Sequence, residues 1–426
     1  MTAGQTERRR VVMVTTTTGY QARAFEAAAT ELGIELVYAT DRCHVLEDPW
    51  RDGAVAIDFA DEYAAATAIV DLASRRPVHG VLAAGDRAAR IAAAAAEALG
   101  LPWHTRVGAH ASTSKLQTRG RLLGADLPVP WFFSMPPEAT LASVADRLRF
   151  PCIIKPVALT ASRGVIRVDD PASFESACDR VRAIVAAAER DARTPGDADL
   201  LVEGFIPGHE LALEGVLEHG ALRVLAIFDK PDPLDGPFFA ETIYVTPPPL
   251  TRHEERAMAG TIAHAAAALG LRHGPIHAEC RINAHGVFIL EIAPRPIGGL
   301  CARALRFTSS DREGLSLEEI LLRHAVGDSL DGFGREAGAS GVLMLTVPRA
   351  GRLRAVHGVA EARALTHVED VVITARPGES LTPLPEGASY PGFVFARADD
   401  AAAVTAALRA AQGAIRFEID SPIPMR

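Results

Sequence analysis

Glu279 and Glu291 stand on either side of a short turn, each inside a strand-like stretch. In Ile276-His277-Ala278-Glu279-Cys280-Arg281-Ile282 the odd positions are polar or charged and the even ones apolar or small. That is the period of a half-buried strand. Val287-Phe288-Ile289-Leu290-Glu291-Ile292 is a second one. If the three-residue loop Ala284–Gly286 closes a hairpin with Gly286 left-handed, Ile282 faces Phe288, Cys280 faces Leu290, Ala278 faces Ile292, and Glu279 lies opposite Glu291. A loop one residue shorter would put the core pairs on opposite faces, so the pattern selects this register. Two opposed carboxylates repel. A cation between them removes the repulsion, and magnesium commonly takes one or two carboxylates plus substrate phosphates. Rotation of the side chains, or Arg281, would remove it without a metal.

Other groups with chemical capacity cluster around this hairpin. His277 shares the polar face of Glu279, about 7 Å along the strand, where a neutral imidazole orients a carboxylate or takes a proton from an amine. Arg295 follows Glu291 between Pro294 and Pro296, and a guanidinium there stabilises charge developing on a phosphoryl or tetrahedral centre. Upstream, the apolar run Phe150-Pro151-Cys152-Ile153-Ile154 ends in Lys155-Pro156 and leads into the small-residue loop Ala158–Gly164, with Ser162 and Gly164 at its far end. A strand-end lysine beside a loop with exposed backbone N–H groups suits phosphate oxygens; a plain buried strand reads the same way. Glu203-Gly204-Phe205-Ile206-Pro207 then leaves a strand as a connector. Its backbone edge suits a purine, and Glu203 and Glu210 at its ends suit a ribose diol. Two solvated glutamates around a turn would look alike.

The elements that must position these groups fall into three units. Val11–Val14, Glu35–Ala39 and Val78–Ala83 read as strands, Tyr20–Leu32 and Asp86–Leu99 as helices stopped by Gly33 and Gly100. This rhythm implies a parallel sheet. Thr15–Thr18 before Gly19 either line a polar site at the strand ends or simply cap a helix. Ser112–Gly124 reads as one helix. From Pro151 the grammar becomes α+β, with strands in succession, helices over Ala172–Arg190 and Thr251–Leu269, and a polar loop over Asp191–Asp199. After about residue 340 come strands at Gly341–Val347, Gly392–Ala396 and Ala414–Ile419 and a helix at Ala401–Gln412. Composition sets bounds. The 426 residues suggest about three domains. A net charge of −9 argues against a nucleic-acid binder. No apolar run reaches the roughly 18–20 residues of a membrane span. Five scattered cysteines without a CxxC pair exclude a disulfide framework or zinc knuckle, so the reading is a reduced, cytoplasmic protein.

Taken in order, these pieces resemble the ATP-grasp superfamily, most sharply from residue 150 to 300. The resemblance implies an α/β and α+β protein: an N-terminal parallel-sheet domain (1–125), an ATP-grasp domain (126–335) with a lid at about 150–232, and a C-terminal α+β domain (336–426). It implies that Lys115 and Lys155 bind phosphates under the loop carrying Ser162 and Gly164. Glu203, Gly204, Phe205 and Ile206 form the adenine hinge, Glu210 meets the ribose, Glu279 and Glu291 hold the metal, and Arg295 and His277 act in catalysis. ATP with Mg2+, or Mn2+ in its place, follows. Two positions depart from the pattern: Ala293 replaces the common asparagine, and the loop over 158–164 is poor in glycine. Tyr390-Pro391-Gly392-Phe393-Val394-Phe395-Ala396 and His277-Ala278-Glu279 are similar to the L-amino-acid ligase branch. That branch makes an amide or dipeptide from a small carboxylate and an amine through an acyl phosphate, without nucleic acid or membrane; a homodimer is compatible with it. A ligase or carboxylase of nucleotide or bicarbonate metabolism, and a catalytically silent nucleotide-binding regulator, are the competing readings.

Overall fold

The computed structural model describes residues 8–16, 21–41, 53–192 and 198–421. The N-terminal unit is a parallel sheet of β1 (Arg10–Thr15), β2 (Glu35–Thr40), β3 (Ala54–Ala56) and β4 (Gly80–Ala84), in the order β3-β2-β1-β4. Helices α1 (Ala22–Leu32), α2 (Glu62–Arg75) and α3 (Asp86–Leu99) connect the strands. In α3 the alanines from 92 to 96 are buried, side chains small enough to let the helix lie close on its neighbours. Gly100 stops it in the left-handed conformation, φ +67°. Thr15 ends β1; Thr17 to Gly19 of the threonine loop, Tyr20 and Cys43 lie outside the described residues.

The stretch 112–124, expected as one helix, is broken. Helix α4 (Arg106–Thr113) ends and α5 (Lys115–Gly124) begins at Ser114, which is extended and caps the new helix through its hydroxyl. The break makes Lys115 the first residue of α5 and lets its N–H donate to Val157 O at 2.9 Å. A single continuous helix would have pointed Lys115 along the helix wall.

A second sheet joins β5 (Phe132–Met135), β6 (Cys152–Pro156), β7 (Ile166–Val168) and β8 (Leu200–Gly204) in the antiparallel order β5-β8-β6-β7. Helix α6 (Pro171–Ala192) lays Phe174, Cys178 and Val181 on it. Strands β6 to β8 and helix α6 fall within the stretch of about 150–232 expected as a lid. Strands β9 (His209–Glu218) and β10 (Ala221–Asp229), placed in the lid from sequence, pair elsewhere. Residues 193–197 of the anticipated polar loop lie outside the described residues.

The third sheet is built on β9 and β10 with β11 (Ile243–Thr246), β12 (Gly274–Asn283) and β13 (Gly286–Ala293). It continues through β14 (Ala339–Leu345), β15 (Val368–Ile373) and β16 (Gly392–Ala398) in the order β13-β12-β9-β10-β11-β14-β16-β15. It thus runs uninterrupted across the expected boundary at 335/336, because β11 pairs with β14. Helix α7 (Arg252–Leu269), opened by a Thr251–Glu254 capping box, packs Met258 and Ile262 against Ala278, Cys280, Ile289 and Ile292. Burying each such aliphatic chain contributes about 2 kcal/mol. The opposite face of β12 is thereby left to its polar residues.

The hairpin register is partly as expected. Ala278 pairs with Ile292 and Glu279 with Glu291. Beyond them Cys280 pairs with Ile289 and Ile282 with Val287, not with Leu290 and Phe288. The loop is only Ala284–His285, and Leu290 is an extra residue bulged out of β13. The short loop shifts the pairing by one, and the bulge shifts it back before the glutamates.

Candidate active site

The N-terminal unit, the lid and the central sheet enclose a cleft of about 520 Å³. Every candidate residue named from sequence lines it except Gly164, which sits just outside at the base of the loop. There Gly164 takes φ +74°, and its N–H donates to Pro385 O at 2.9 Å.

At the lid side, β6 carries Lys155 inward. Its ammonium donates to Glu203 Oε1 at 2.5 Å. Arg119 of α5 grips the same carboxylate, Nε to Oε2 at 2.8 Å and Nη2 to Oε1 at 3.2 Å. Burial alone would raise the Glu203 pKa; Arg119 and Lys155 outweigh it and hold it down to about 2. Burial lowers the Lys155 ammonium to about 8 against the pull of Glu203. The Glu203 carboxylate is therefore a structural anchor, and what it offers a ligand is its backbone. In the connector, Phe205 N–H already donates to Pro151 O and Ile206 O accepts from Arg281 at 2.7 Å. Across the cleft floor, Lys115 sends its ammonium to Leu159 O and lies 3.9 Å from Glu291.

Arg119 was not found from sequence, yet it holds the site together. Its Nη1 also donates to Ile289 O at 2.9 Å and Leu290 O at 3.3 Å, the carbonyls beside the bulge. One buried guanidinium thus ties the Glu203–Lys155 pair to the strand carrying Glu291. Arg119→Met is expected to cost about 3 kcal/mol of stability, and Arg119→Lys to recover little of it, since an ammonium lacks the planar fork. Urea unfolding of both variants checks this; a loss under 1 kcal/mol for Arg119→Met would contradict it.

Glu279 does not face an idle Glu291. Its Oε1 lies 3.3 Å from Lys230 Nζ, 3.3 Å from His277 Nε2 and 3.2 Å from the Tyr244 hydroxyl. Lys230, at the end of β10, also donates to Glu210 at 2.9 Å and Glu241 at 3.0 Å. Burial opposes ionisation of Glu279, but Lys230 and His277 hold its pKa well below the usual carboxylate range. Burial raises Glu241 to about 7 despite Lys230, with Glu279 and Glu210 adding to the rise. Its Oε2 is buried with no hydrogen-bond partner. Arg281, considered as a neutraliser of the opposed pair, instead bonds Glu210 at 2.8 Å. Glu210, expected only as a ribose acceptor, anchors two cations; each carboxylate oxygen keeps a further lone pair for a hydroxyl.

His277 departs from expectation in its charge. Its Nδ1 bonds Glu214 of β9, a carboxylate only 1% exposed. Burial alone would lower the imidazole; Glu214, and after it Glu279, raise it to about 9. Glu214 and Glu279 thus favour the protonated ring over the neutral imidazole expected from sequence. Arg295 bonds Asp86 Oδ1 at 2.6 Å through Nε and Pro296 O through Nη1. It lines the cleft while bolting the hairpin to the first residue of α3.

Lys230, Glu241, Glu214, Arg119 and Asp86 were all missed. The alternation Glu210, Ala212, Glu214 on β9 was the available signal for Glu214. The three carboxylates Glu210, Glu241 and Glu279 have ligand oxygens within 4.8 Å of one another, but the Lys230 ammonium sits among them. Glu279 and Glu291, oxygen donors directly opposed at the cleft, fit a hard divalent cation.

Comparison with known proteins gives three family matches. The ATP-grasp domain matches residues 148–304, the ATP-grasp N-terminal domain residues 25–103, and the L-amino acid ligase C-terminal domain 2 residues 343–420. The crystal structure of L-amino acid ligase from Bacillus licheniformis is 25% identical with a TM-score of 0.80, covering 97% of this chain and 99% of that one. D-alanine–D-alanine ligase of Paracidovorax citrulli is 30% identical over 58% of this chain and 72% of the relative. N5-carboxyaminoimidazole ribonucleotide synthetase of Thermotoga maritima, 14% identical with a TM-score of 0.68 over 97% of this chain and 100% of that chain, shares the fold. The chain spans 54% and 60% of the length of two other curated relatives. Among the described residues no helix is long and apolar enough to cross a membrane.

Proposed function

This chain belongs to the ATP-grasp superfamily, in its L-amino acid ligase branch, and on that premise we propose that it joins an amino-acid carboxylate to an amine with ATP as phosphoryl donor. A carboxylate oxygen attacks the γ-phosphorus and ADP leaves. The amine nitrogen then attacks the acyl carbon, loses a proton, and phosphate departs with the carboxylate oxygen. The observation that carries this reading is the opposed pair Glu279 and Glu291 in a cleft that Lys115, Lys155 and Arg295 also line. Phosphoryl transfer depends mostly on positioning and neutralisation of charge, and this is the set that does both. The C-terminal match over 343–420 favours amide formation over the bicarbonate or ribonucleotide reading, whose support is the shared fold alone.

The residues divide the work. Lys115 and Lys155 hold phosphate oxygens beneath the loop bearing Ser162 and Gly164. The Phe205 carbonyl and Ile206 N–H receive the adenine edge, the neighbouring Phe205 N–H and Ile206 carbonyl being engaged already. Glu210 takes a ribose hydroxyl. Glu279 and Glu291 hold Mg2+ or Mn2+, which when bound neutralises the transferring phosphate. Arg295 adds positive charge at the reacting end, and Lys230 and His277 keep Glu279 ionised and aimed. The unpartnered Glu241 oxygen receives the ammonium of the amino acid. The lid sheet excludes water, which would otherwise hydrolyse an acyl phosphate.

Phosphate release measured with single amino acids and with pairs tests the reading. Release that requires an amino acid, with an amide product, supports it; ATP binding without any amino-acid-dependent release would leave a silent regulator. A pH effect also follows. Lys155, about 8 in the free protein, rises when phosphate binds. Below pH 8 it is charged in both states. Above pH 8 binding must take up a proton, so affinity for a non-hydrolysable ATP analogue is expected to fall by up to about tenfold per pH unit. Calorimetry at pH 7 and 9 measures this. Lys155→Arg should flatten the profile; a flat wild-type profile would contradict the assignment.

A further inference from the structure

Beside the cleft lies a second cavity of about 200 Å³. It adjoins the cleft along Ala161 of the phosphate-side loop and Ala388, Ser389 and Tyr390 of the C-terminal unit, residues that line both. The wall between them is an extended segment that alternates: Phe239 and Glu241 face the cleft, Phe238 and Ala240 the side chamber. The far wall is Thr346 and Val347. Among the described residues no charged side chain lines the chamber. A phosphate or carboxylate would lose its hydration there without compensation, whereas an apolar group gains by leaving water. The volume is informative, since an apolar cavity of about 150 Å³ holds benzene.

We propose that this chamber takes the side chain of the amino acid whose carboxylate is activated, so that the enzyme selects a large apolar donor, aromatic or branched aliphatic. The inference rests on the ligase reading above and deepens it. An α-amino acid with its ammonium at Glu241 sits beside the chamber wall, because Glu241 lines the cleft and the preceding residue, Ala240, lines the chamber. Its side chain then enters the chamber past Ser389 and Tyr390, which line both cavities. Hydrophobic pockets discriminate by roughly tenfold or more per missing methylene at best, so preference should climb with donor size.

The test measures kcat/KM of the full chain for glycine, alanine, leucine, methionine and phenylalanine as donors, with one fixed amine acceptor and saturating ATP and magnesium. The wild type is expected to favour the large apolar donors over alanine by at least about tenfold. Two variants fill the chamber from opposite walls, Ala240→Leu and Thr346→Leu. Each should lose at least about tenfold on large donors through KM and stay within about twofold on alanine. Activity with alanine shows that a variant is folded. Donor-size indifference in the wild type, or unchanged profiles in a variant active with alanine, overturns this inference alone. Absence of phosphate release with every amino acid overturns the ligase reading and this inference with it.

Discussion

Glu291→Gln is expected to lower amide formation by at least about a hundredfold while leaving the melting temperature of the metal-free protein unchanged. The two halves of this expectation have different origins. Glu291 is half-buried, and its one ion-pair partner among the described residues, Lys115, lies 3.9 Å away, so its charge contributes little to folding. On the proposed reading its value lies in the cation it would share with Glu279, directly opposite in the hairpin. Glu279→Gln should behave differently. That carboxylate also receives Lys230, His277 and Tyr244, so its loss should cost stability and activity together. The magnesium dependence of kcat/KM, with thermal unfolding in EDTA, separates the variants. A Glu291→Gln protein with wild-type magnesium dependence would defeat the metal assignment.

Lys230→Ala should have the largest effect on the metal-free protein. One ammonium lies within 3.3 Å of Glu210, Glu241 and Glu279, and without it three carboxylates with ligand oxygens within 4.8 Å of one another face a buried space. Removing one side of such a buried ion set costs about 3–5 kcal/mol. The same geometry then becomes an oxygen cage for a hard cation. We expect Lys230→Ala to melt well below wild type in EDTA, to recover in millimolar magnesium or calcium by more than wild type gains, and to remain inactive because Glu279 has lost the ammonium beside it. Equal stability in EDTA, or no added response to divalent ions, would show that the cage is not held by Lys230.

The parts of this site that could be read from sequence share a property: each is announced by residues close together in the chain. The opposition of Glu279 and Glu291 follows from period-two alternation on either side of a turn, and Lys155 and the 203–206 connector from strand ends. The rest depends on distant pairings. Arg119 reaches Glu203 across 84 positions, Glu214 reaches His277 across 63, and Asp86 reaches Arg295 across 209. No local pattern records such partners, so the charge of His277 was misjudged once Glu214 was missing from the account. The bulge at Leu290 escaped for a related reason. An extra strand residue keeps the glutamates opposed while moving every pair nearer the loop, and an apolar run such as Phe288-Ile289-Leu290 looks the same with or without it. β9 and β10 were grouped with the expected lid because they alternate like any strands; it is their pairing with β12 and β11 that assigns them to the central sheet.

The central claim is that ATP activates a carboxylate as an acyl phosphate within this cleft, and oxygen-18 follows that event directly. A donor amino acid labelled in both carboxylate oxygens is turned over with ATP, magnesium and an amine, and the released phosphate is analysed by mass spectrometry. Attack of the carboxylate on the γ-phosphorus, followed by displacement at carbon, predicts one labelled oxygen in each phosphate formed per amide. Unlabelled phosphate accompanying amide formation would contradict the claim.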